Sequence, residues 1–325
     1  MNNHISRVGQ GGDMLYGKYT FTCKLEDDAQ LPAYKGSTFR GVFGHALKRV
    51  VCALRLQECE SCLLQSDCLY ALVFEGNLVK DANFNAPVSA PPHPFVIEPP
   101  DDMRTSYKAG DEFTCRLSLF GDFNRKLVYF IYAFEQMGRI GIGRRINGVR
   151  SHFVLKNVIW KDRIVYQPDN QRLELPEKLD DLTLDPIGFN NNGENRIKVT
   201  LETPLRIKHK GRLSDGLPFH LMVRGMLRRV SSVMAVCGEG EPHLDYHGLV
   251  DLSRSVRVAD SNTRWYDWQR YSNRQDRSML MGGIVGSITY EGKIKPFLPL
   301  IEVAAKLHIG KQTTFGLGKF SAVIL

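Results

Sequence analysis

Residues 296–325 read PFLPLIEVAAKLHIGKQTTFGLGKFSAVIL and carry the pattern on which the fold prediction rests. The apolar residues of the first part recur every three or four positions, as in a helix with one buried face: Phe297, Leu300, Ile301, Ala304 and Leu307. Pro296 stands at the first turn, where a helix tolerates proline. The apolar run at 320–325 predicts a strand, so a glycine-rich segment at 308–319 connects a helix to a final strand.

The rest of the chain shows the same order of elements twice. The first half predicts a strand at 18–25, a helix at 36–56, a strand at 113–119, a helix at 124–137 and a strand at 151–160. The second half predicts a strand at 196–201, a helix at 219–236 and strands at 265–271 and 279–290 before the terminal helix and strand. Each half therefore reads β-α-β-β-α-β, the ferredoxin-like unit.

The predicted fold class is accordingly α+β, with two tandem ferredoxin-like (RRM-like) domains. The N-terminal domain comprises residues 1–160 and the C-terminal domain residues 196–325, joined by a polar linker at 161–195. A cysteine-rich insertion at about 52–75 and a proline-rich stretch from Ala86 to Pro100 read as additions to the surface of the first domain. The alternative is one larger α+β domain whose halves match by chance.

Length and composition limit the function classes. The chain has 325 residues, of which 43% are hydrophobic and 24% charged, so it can form sizeable cores and is not a fibre, a coiled coil or a disordered chain. We find no apolar run long enough to span a membrane and no secretion signal after Met1, so we expect no membrane partner and a cytoplasmic protein.

Positive charge is concentrated in the second half. Residues 1–195 contain 23 Lys and Arg against 24 Asp and Glu, whereas residues 196–325 contain 20 against 11. This asymmetry favours a polyanionic partner such as nucleic acid, although a solvated basic face would give the same count.

Four of the seven cysteines lie close together with the spacing C-x6-C-x2-C-x5-C: Cys52, Cys59, Cys62 and Cys68. A reducing cytosol disfavours disulfides, and four thiolates would complete a tetrahedral site of the structural kind. We therefore expect a structural zinc ion, in preference to an iron–sulfur cluster or to four free thiols.

The helix predicted after the first strand carries His45. At 100° per residue, the apolar side chains fall on one face, while His45, Lys48, Arg49 and Cys52 fall on the other. An imidazole between cations can hold a phosphate and move protons near neutral pH, although an ordinary surface histidine fits the same pattern.

Three basic segments, two of them rich in glycine, mark candidate polyanion sites. The C-terminal segment contains Gly310, Lys311, Gly316, Gly318 and Lys319, where glycine lets the backbone approach a phosphate chain. A shorter counterpart at 138–145 contains Arg144 and Arg145, and a third site at 264–275 alternates aromatic residues with Arg270 and Arg274. Tight connections without a ligand, and arginines packed over aromatic rings, are the alternatives.

Several of these segments together resemble the CRISPR-associated RAMP superfamily, and within it the endoribonuclease that processes precursor CRISPR RNA. The matching segments are FRGVFGH at 39–45, the cysteine cluster up to Glu75, TPLR at 203–206, RYSNRQ at 270–275, GGIVG at 282–286 and residues 308–319. The resemblance spans nearly the whole chain, and the C-terminal glycine segment is its most specific part.

The resemblance implies cleavage without a catalytic metal, in which a 2′-hydroxyl attacks the adjacent phosphate and displaces the 5′-oxygen. It points to His45 as the general acid or base, with Tyr34 and Lys48 as assisting residues at a tighter spacing than usual and His308 as a rival acid. It implies CRISPR repeat RNA as partner, together with other effector-complex subunits. The alternatives are a CRISPR-RNA-binding subunit that does not cut, and a cytosolic enzyme acting on an acidic metabolite.

Overall fold

A computed structural model of the chain describes residues 13–55, 57–76, 92–170, 172–175, 178–184, 195–272 and 277–325, with the side chains of 269–272 and 277–280 outside the description. The first half contains helices α1 (Gly36–Val51), α2 (Leu69–Phe74) and α3 (Leu127–Ile140). Its strands are β1 (Asp13–Leu25), β2 (Ala29–Gln30), β3 (Phe95–Glu98), β4 (Ser106–Tyr107), β5 (Glu112–Phe120), β6 (Ile142–Ile146), β7 (Val149–Ser151), β8 (Phe153–Trp160), β9 (Arg163–Gln167), β10 (Arg172–Leu173) and β11 (Asp180–Thr183).

The second half contains helices α4 (Phe219–Cys237), α5 (Tyr246–Ser253) and α6 (Leu298–Leu307). Its strands are β12 (Asn195–Leu205), β13 (Lys208–His209), β14 (Arg212–Leu213), β15 (Arg257–Ser272), β16 (Arg277–Gly292) and β17 (Phe320–Ile324). Among the described helices, none is long and apolar enough to cross a membrane.

Two antiparallel sheets organise the protein. The first has seven strands in the order β10-β9-β8-β1-β5-β3, with β11 also pairing with β1, and the second has the order β15-β16-β12-β17. The repeating unit has four strands, which in chain order are β1, β3, β5 and β8 in the first half and β12, β15, β16 and β17 in the second half. In each half, the first of these four strands lies between the third and the fourth. The two halves therefore share one spatial strand order.

The sequence prediction needs correction at two places in the first half. The proline-rich stretch from Ala86 to Pro100 does not run entirely over the surface, because all four residues of Phe95–Glu98 are buried in an edge strand paired with β5. The predicted linker at 161–195 contributes β9, β10 and β11 to the first sheet over its described part. Alternating residues such as Val165 and Leu182 are buried there, which explains why these segments pair.

The two halves share buried surface. Met14, Val96 and Phe120 of the first half belong to the hydrophobic core of the second half. A smaller cluster joins Tyr34 of the first half to Trp268, Phe315 and Leu317 of the second half. The position of the glycine segment is therefore fixed by contacts from both halves.

Candidate functional site

His45 lies on the exposed face of α1. The residues of α1 that face the first sheet, Phe39, Val42, Phe43, Ala46 and Leu47, are buried and follow helical spacing. His45 is exposed, and Gly41 and Arg49 are exposed one turn before and one turn after it. A Cβ at Gly41 would meet no other atom within 4 Å, so the surface beside the imidazole is open.

Lys48 is half-buried on the same helix and turns toward the cysteine segment. Its ammonium lies 5.3 Å from the centroid of the Tyr70 ring. Partial burial lowers the pKa of Lys48, but a hydrogen bond and charge interaction with Cys59, together with Tyr70 and Cys52, raise it above its ordinary value. Lys48 is therefore a cation at neutral pH and can neutralise charge, but it cannot act as a base.

Tyr34 differs from its expected role. Its hydroxyl donates a hydrogen bond of 2.7 Å to the backbone oxygen of Phe315, and its ring lies 4.8 Å from the ring of Trp268. Burial, followed by the nearby charge of Glu98, raises the pKa of Tyr34 well above its ordinary value. A buried phenol that already donates to a carbonyl connects the two halves and is not placed to assist His45.

The cysteine segment surrounds the end of α1. Cys52 caps α1, Cys59 begins a short 3₁₀ turn, Cys62 follows that turn, and Cys68 precedes α2. All four are free cysteines and are partly exposed. The described residues contain no group of three or more His, Cys, Asp or Glu side chains arranged to hold a metal ion. Four thiols are the donor type that suits zinc, and the zinc ion remains a prediction from their spacing.

The C-terminal glycine segment is buried between the halves and does not form an open cradle. The N–H of Gly316 donates to the Thr313 oxygen at 2.8 Å, and the N–H of Gly318 donates to the Pro204 oxygen at 3.1 Å. Gly316 has φ +80°, and a Cβ there would lie 2.8 Å from the backbone oxygen of Ile97. Gly316 is needed for close packing against β3 and Gly318 for close packing against Ile309, and the N–H groups of both are engaged within the protein.

A buried ionic cluster fixes this segment against the first half. The carboxylate of Glu98 on β3 lies 2.5 Å from the Lys18 ammonium, 3.5 Å from His308 Nε2 and 3.2 Å from the Lys319 ammonium. Burial alone would raise the pKa of Glu98, but His308 and Lys18 hold it well below its ordinary value. His308 is 1% exposed, so it serves this cluster and is not open to a substrate.

Other predicted binding residues remain accessible. Arg144 and Arg145 are exposed on β6, and Lys311 is exposed at the start of the glycine segment beside the half-buried Gly310. Lys319, in contrast, is held between Glu98 and Glu202. The side chains of Arg270 and Arg274 lie outside the described residues.

Sequence reasoning missed the partners of the predicted residues. Glu98 and Lys18 join His308 and Lys319, yet they are distant in sequence and lie in segments without a motif. A second omission left a visible signal: residues 208–212 read KHKGR, with one glycine among four basic residues. This segment forms the β13–β14 hairpin, which borders a basic groove between the hairpin and α4.

Comparisons with known proteins give matches in both halves of the chain. A model described as an N-terminal domain matches residues 14–178, and the model of the CRISPR-associated endoribonuclease Cas6 matches residues 199–320. A protein of Archaeoglobus fulgidus described as uncharacterized is 32% identical over 293 residues, covering 89% of this chain and 92% of the relative.

Solved structures share the fold at low identity. The product complex of a Cas6 protein has a TM-score of 0.55 at 15% identity, covering 96% of this chain and 99% of that one. Thermus thermophilus Cas6 has a TM-score of 0.53 at 14% identity, with the same coverage. A partial Cas6-RT-Cas1–Cas2 complex has a TM-score of 0.56 at 14% identity, but this chain spans only 46% of that longer chain. These structures show that the chain shares the fold. The family models, which together span residues 14–178 and 199–320, identify the chain as a member of the CRISPR-associated RAMP proteins of the Cas6 type.

Proposed function

We propose that this chain is an endoribonuclease that cuts precursor CRISPR RNA within its repeats and so produces guide RNAs. The observation that carries the proposal is the exposed imidazole of His45 on α1, with Arg49 exposed one turn away, in a chain of the Cas6 type. A histidine and a cation on one open helix face suit a substrate that carries both a phosphate and an ionisable hydroxyl.

The reaction we propose needs no metal ion. The 2′-oxygen upstream of the scissile phosphate forms a bond to phosphorus while the bond from phosphorus to the 5′-oxygen breaks. The 2′-oxygen loses its proton and the departing 5′-oxygen gains one, so the products carry a 2′,3′-cyclic phosphate and a 5′-hydroxyl. His45 performs one of these proton transfers, and Arg49 and Lys48 neutralise the charge that develops on the phosphate.

The RNA-binding residues are assigned from the exposure of their side chains to solvent. We assign RNA contacts to Arg49, Arg144, Arg145 and Lys311, whose side chains are open to solvent. Gly316, Gly318 and Lys319 act indirectly, because they fix the fold of the glycine segment: Gly316 and Lys319 hold it against β3, and the Gly318 N–H donates to the Pro204 oxygen. Arg270 and Arg274 stay in the proposal on their sequence pattern alone.

We also infer that both halves are ferredoxin-like units. In the first half β3, β5, β1 and β8 are adjacent, and in the second half β15, β16, β12 and β17 are adjacent. Each set gives the spatial order 2-3-1-4 for the strands of a β-α-β-β-α-β unit. The cysteine segment is then an addition to the first unit, placed between its first helix and its second strand.

A cleavage assay with two histidine variants tests the function. Wild-type protein, His45→Ala and His243→Ala are incubated with a repeat transcript in excess EDTA, and the cleavage rate and RNA affinity are measured. His243 is a matched control because it is also an exposed histidine, in the second half. We expect a rate at least 10²-fold lower for His45→Ala with unchanged affinity, and no change for His243→Ala.

A non-catalytic RNA-binding subunit is the second candidate. It is favoured by the burial of Tyr34 and His308, which leaves His45 as the one exposed residue among the proton-transfer candidates. Tight RNA binding by the wild-type protein without any cut in the repeat would support this candidate and contradict the nuclease.

A further inference from the structure

A groove of about 460 Å³ lies in the second half, between the β13–β14 hairpin and α4. Its floor is apolar and includes Ile207 and Leu221. Gly225 allows the two elements to approach, because a Cβ at this position would lie 3.0 Å from Ile207 Cδ1.

The walls of the groove are basic. They carry Lys208 and Lys210 from the hairpin and Arg224 and Arg228 from the helix, together with His209, and no acidic residue of the described chain lines the groove. Among the residues that the structure describes, none of the four cations forms an ion pair or a side-chain hydrogen bond. Like charges one turn apart on a helix repel each other, so this arrangement costs stability unless an anion binds there.

The hairpin turn holds a lysine in an unfavourable conformation. Lys210 and Gly211 are the two turn residues, with φ of +47° and +82°. Two-residue turns with both φ angles positive favour Asn-Gly or Gly-Gly, because a lysine side chain is strained there. This backbone strain accompanies the placement of a cation at the tip of the hairpin, beside the groove. Local strain of this kind is often found at functional sites.

The two exposed cations of α4 lie one turn apart. Arg224 and Arg228 follow one another at an interval of about 6 Å along the helix. His220, one turn before Arg224, adds no charge at neutral pH, because burial, followed by Arg254, His209 and Arg224, lowers its pKa. The spaced arginines suit a ligand that carries several anionic groups.

The chain that leads into the hairpin is attached to the glycine segment. The N–H of Lys311 donates a hydrogen bond of 2.9 Å to the backbone oxygen of Arg206, two residues before the hairpin begins. Lys311, which is exposed, thus adds a further cation close to the base of the hairpin.

We propose that this groove binds the ribose-phosphate backbone of RNA, as a second contact region for the substrate of the proposed nuclease. RNA is favoured over an acidic protein segment because the cations form an extended row over a narrow floor, with no wide apolar surface for a protein partner. The inference rests on the proposed function, since it assigns a further part of the same substrate to this groove.

The test uses Arg224→Ala/Arg228→Ala in a His45→Ala background, so that RNA is bound without being cut. Alanine is well tolerated at exposed helical positions, and the melting temperature checks that the variant folds. The control is Arg125→Ala/Lys126→Ala, which removes two exposed cations from the 3₁₀ turn directly before α3. Dissociation constants for repeat RNA are measured over a series of salt concentrations.

We expect the groove variant to bind RNA at least tenfold more weakly than the control. The slope of log affinity against log salt should also fall by roughly 0.7 for each phosphate that the variant no longer binds. Equal affinities and slopes for the groove variant and the control would contradict RNA binding in the groove. Cleavage of the repeat by the wild-type protein would still support the proposed function in that case. If polyglutamate bound the parent protein but not the groove variant, and RNA affinity was the same for both, the groove would be a site for an acidic protein instead.

Discussion

Removal of the Tyr34 hydroxyl separates a structural role from a catalytic one. In Tyr34→Phe the ring can keep its contact with Trp268, and the change is confined to the hydrogen bond of 2.7 Å to the Phe315 oxygen. That oxygen belongs to a buried residue, so leaving it without this donor should lower the free energy of unfolding by about 1–3 kcal/mol. A general acid or base, in contrast, is worth roughly 10²–10⁴-fold in rate.

Two assays on the same preparation distinguish these roles. Denaturant unfolding gives the free energy, and single-turnover cleavage at saturating protein gives the chemical rate. The control Tyr129→Phe removes the hydroxyl from a ring that is 44% exposed on α3, and it should change stability by less than about 0.5 kcal/mol. A rate loss of 10²-fold or more in Tyr34→Phe, with stability unchanged, would refute our assignment of Tyr34 to the interface.

Three further predictions concern the interior and the cysteine segment. Gly316→Ala should destabilise the protein by about 1–3 kcal/mol, measured by denaturant unfolding, because its φ is +80° and Ile97 is close; a neutral effect would contradict the packing of the loop. His93 has its pKa lowered from 6.5 to about 4 by burial, so the unfolded chain takes up this proton at a higher pH than the folded protein does. As far as His93 is concerned, the free energy of unfolding is therefore highest above pH 6.5. It decreases as the pH falls toward 4, by up to about 3 kcal/mol, and His93→Gln should remove this dependence of stability on pH. Purified protein should contain zinc that Cys59→Ser/Cys62→Ser loses, and metal analysis that finds none in the wild-type protein would reject the metal site.

Periodicity was sufficient for the elements that bury one face. The apolar spacing of α1 and α6 predicted both helices, and the exposed position of His45 followed from the same pattern. It failed for Phe95–Glu98, because a short buried strand flanked by prolines shows no alternation, and proline suggested a surface loop. The strands in the predicted linker were missed because polar residues alternate there with few apolar ones.

The candidate site was predictable only where it depends on local sequence. His45 and Arg49 share a helix face, which the 3.6-residue period determines. The burial of Tyr34 and His308 depends on tertiary contacts, with Phe315 and Glu98 respectively, which no spacing along the chain reveals. Glycine and lysine in one segment suggested a phosphate cradle, but the same residues also suit close packing between two halves.

Attack by a ribose hydroxyl is the central claim, and a repeat RNA with one 2′-deoxyribose on the upstream side of the cut tests it most directly. In EDTA, we expect the wild-type protein to bind this RNA as tightly as the all-ribose repeat and to leave it intact at that position. The all-ribose repeat should give a 2′,3′-cyclic phosphate and a 5′-hydroxyl. Cleavage of the deoxy-substituted RNA at the same bond would contradict the account.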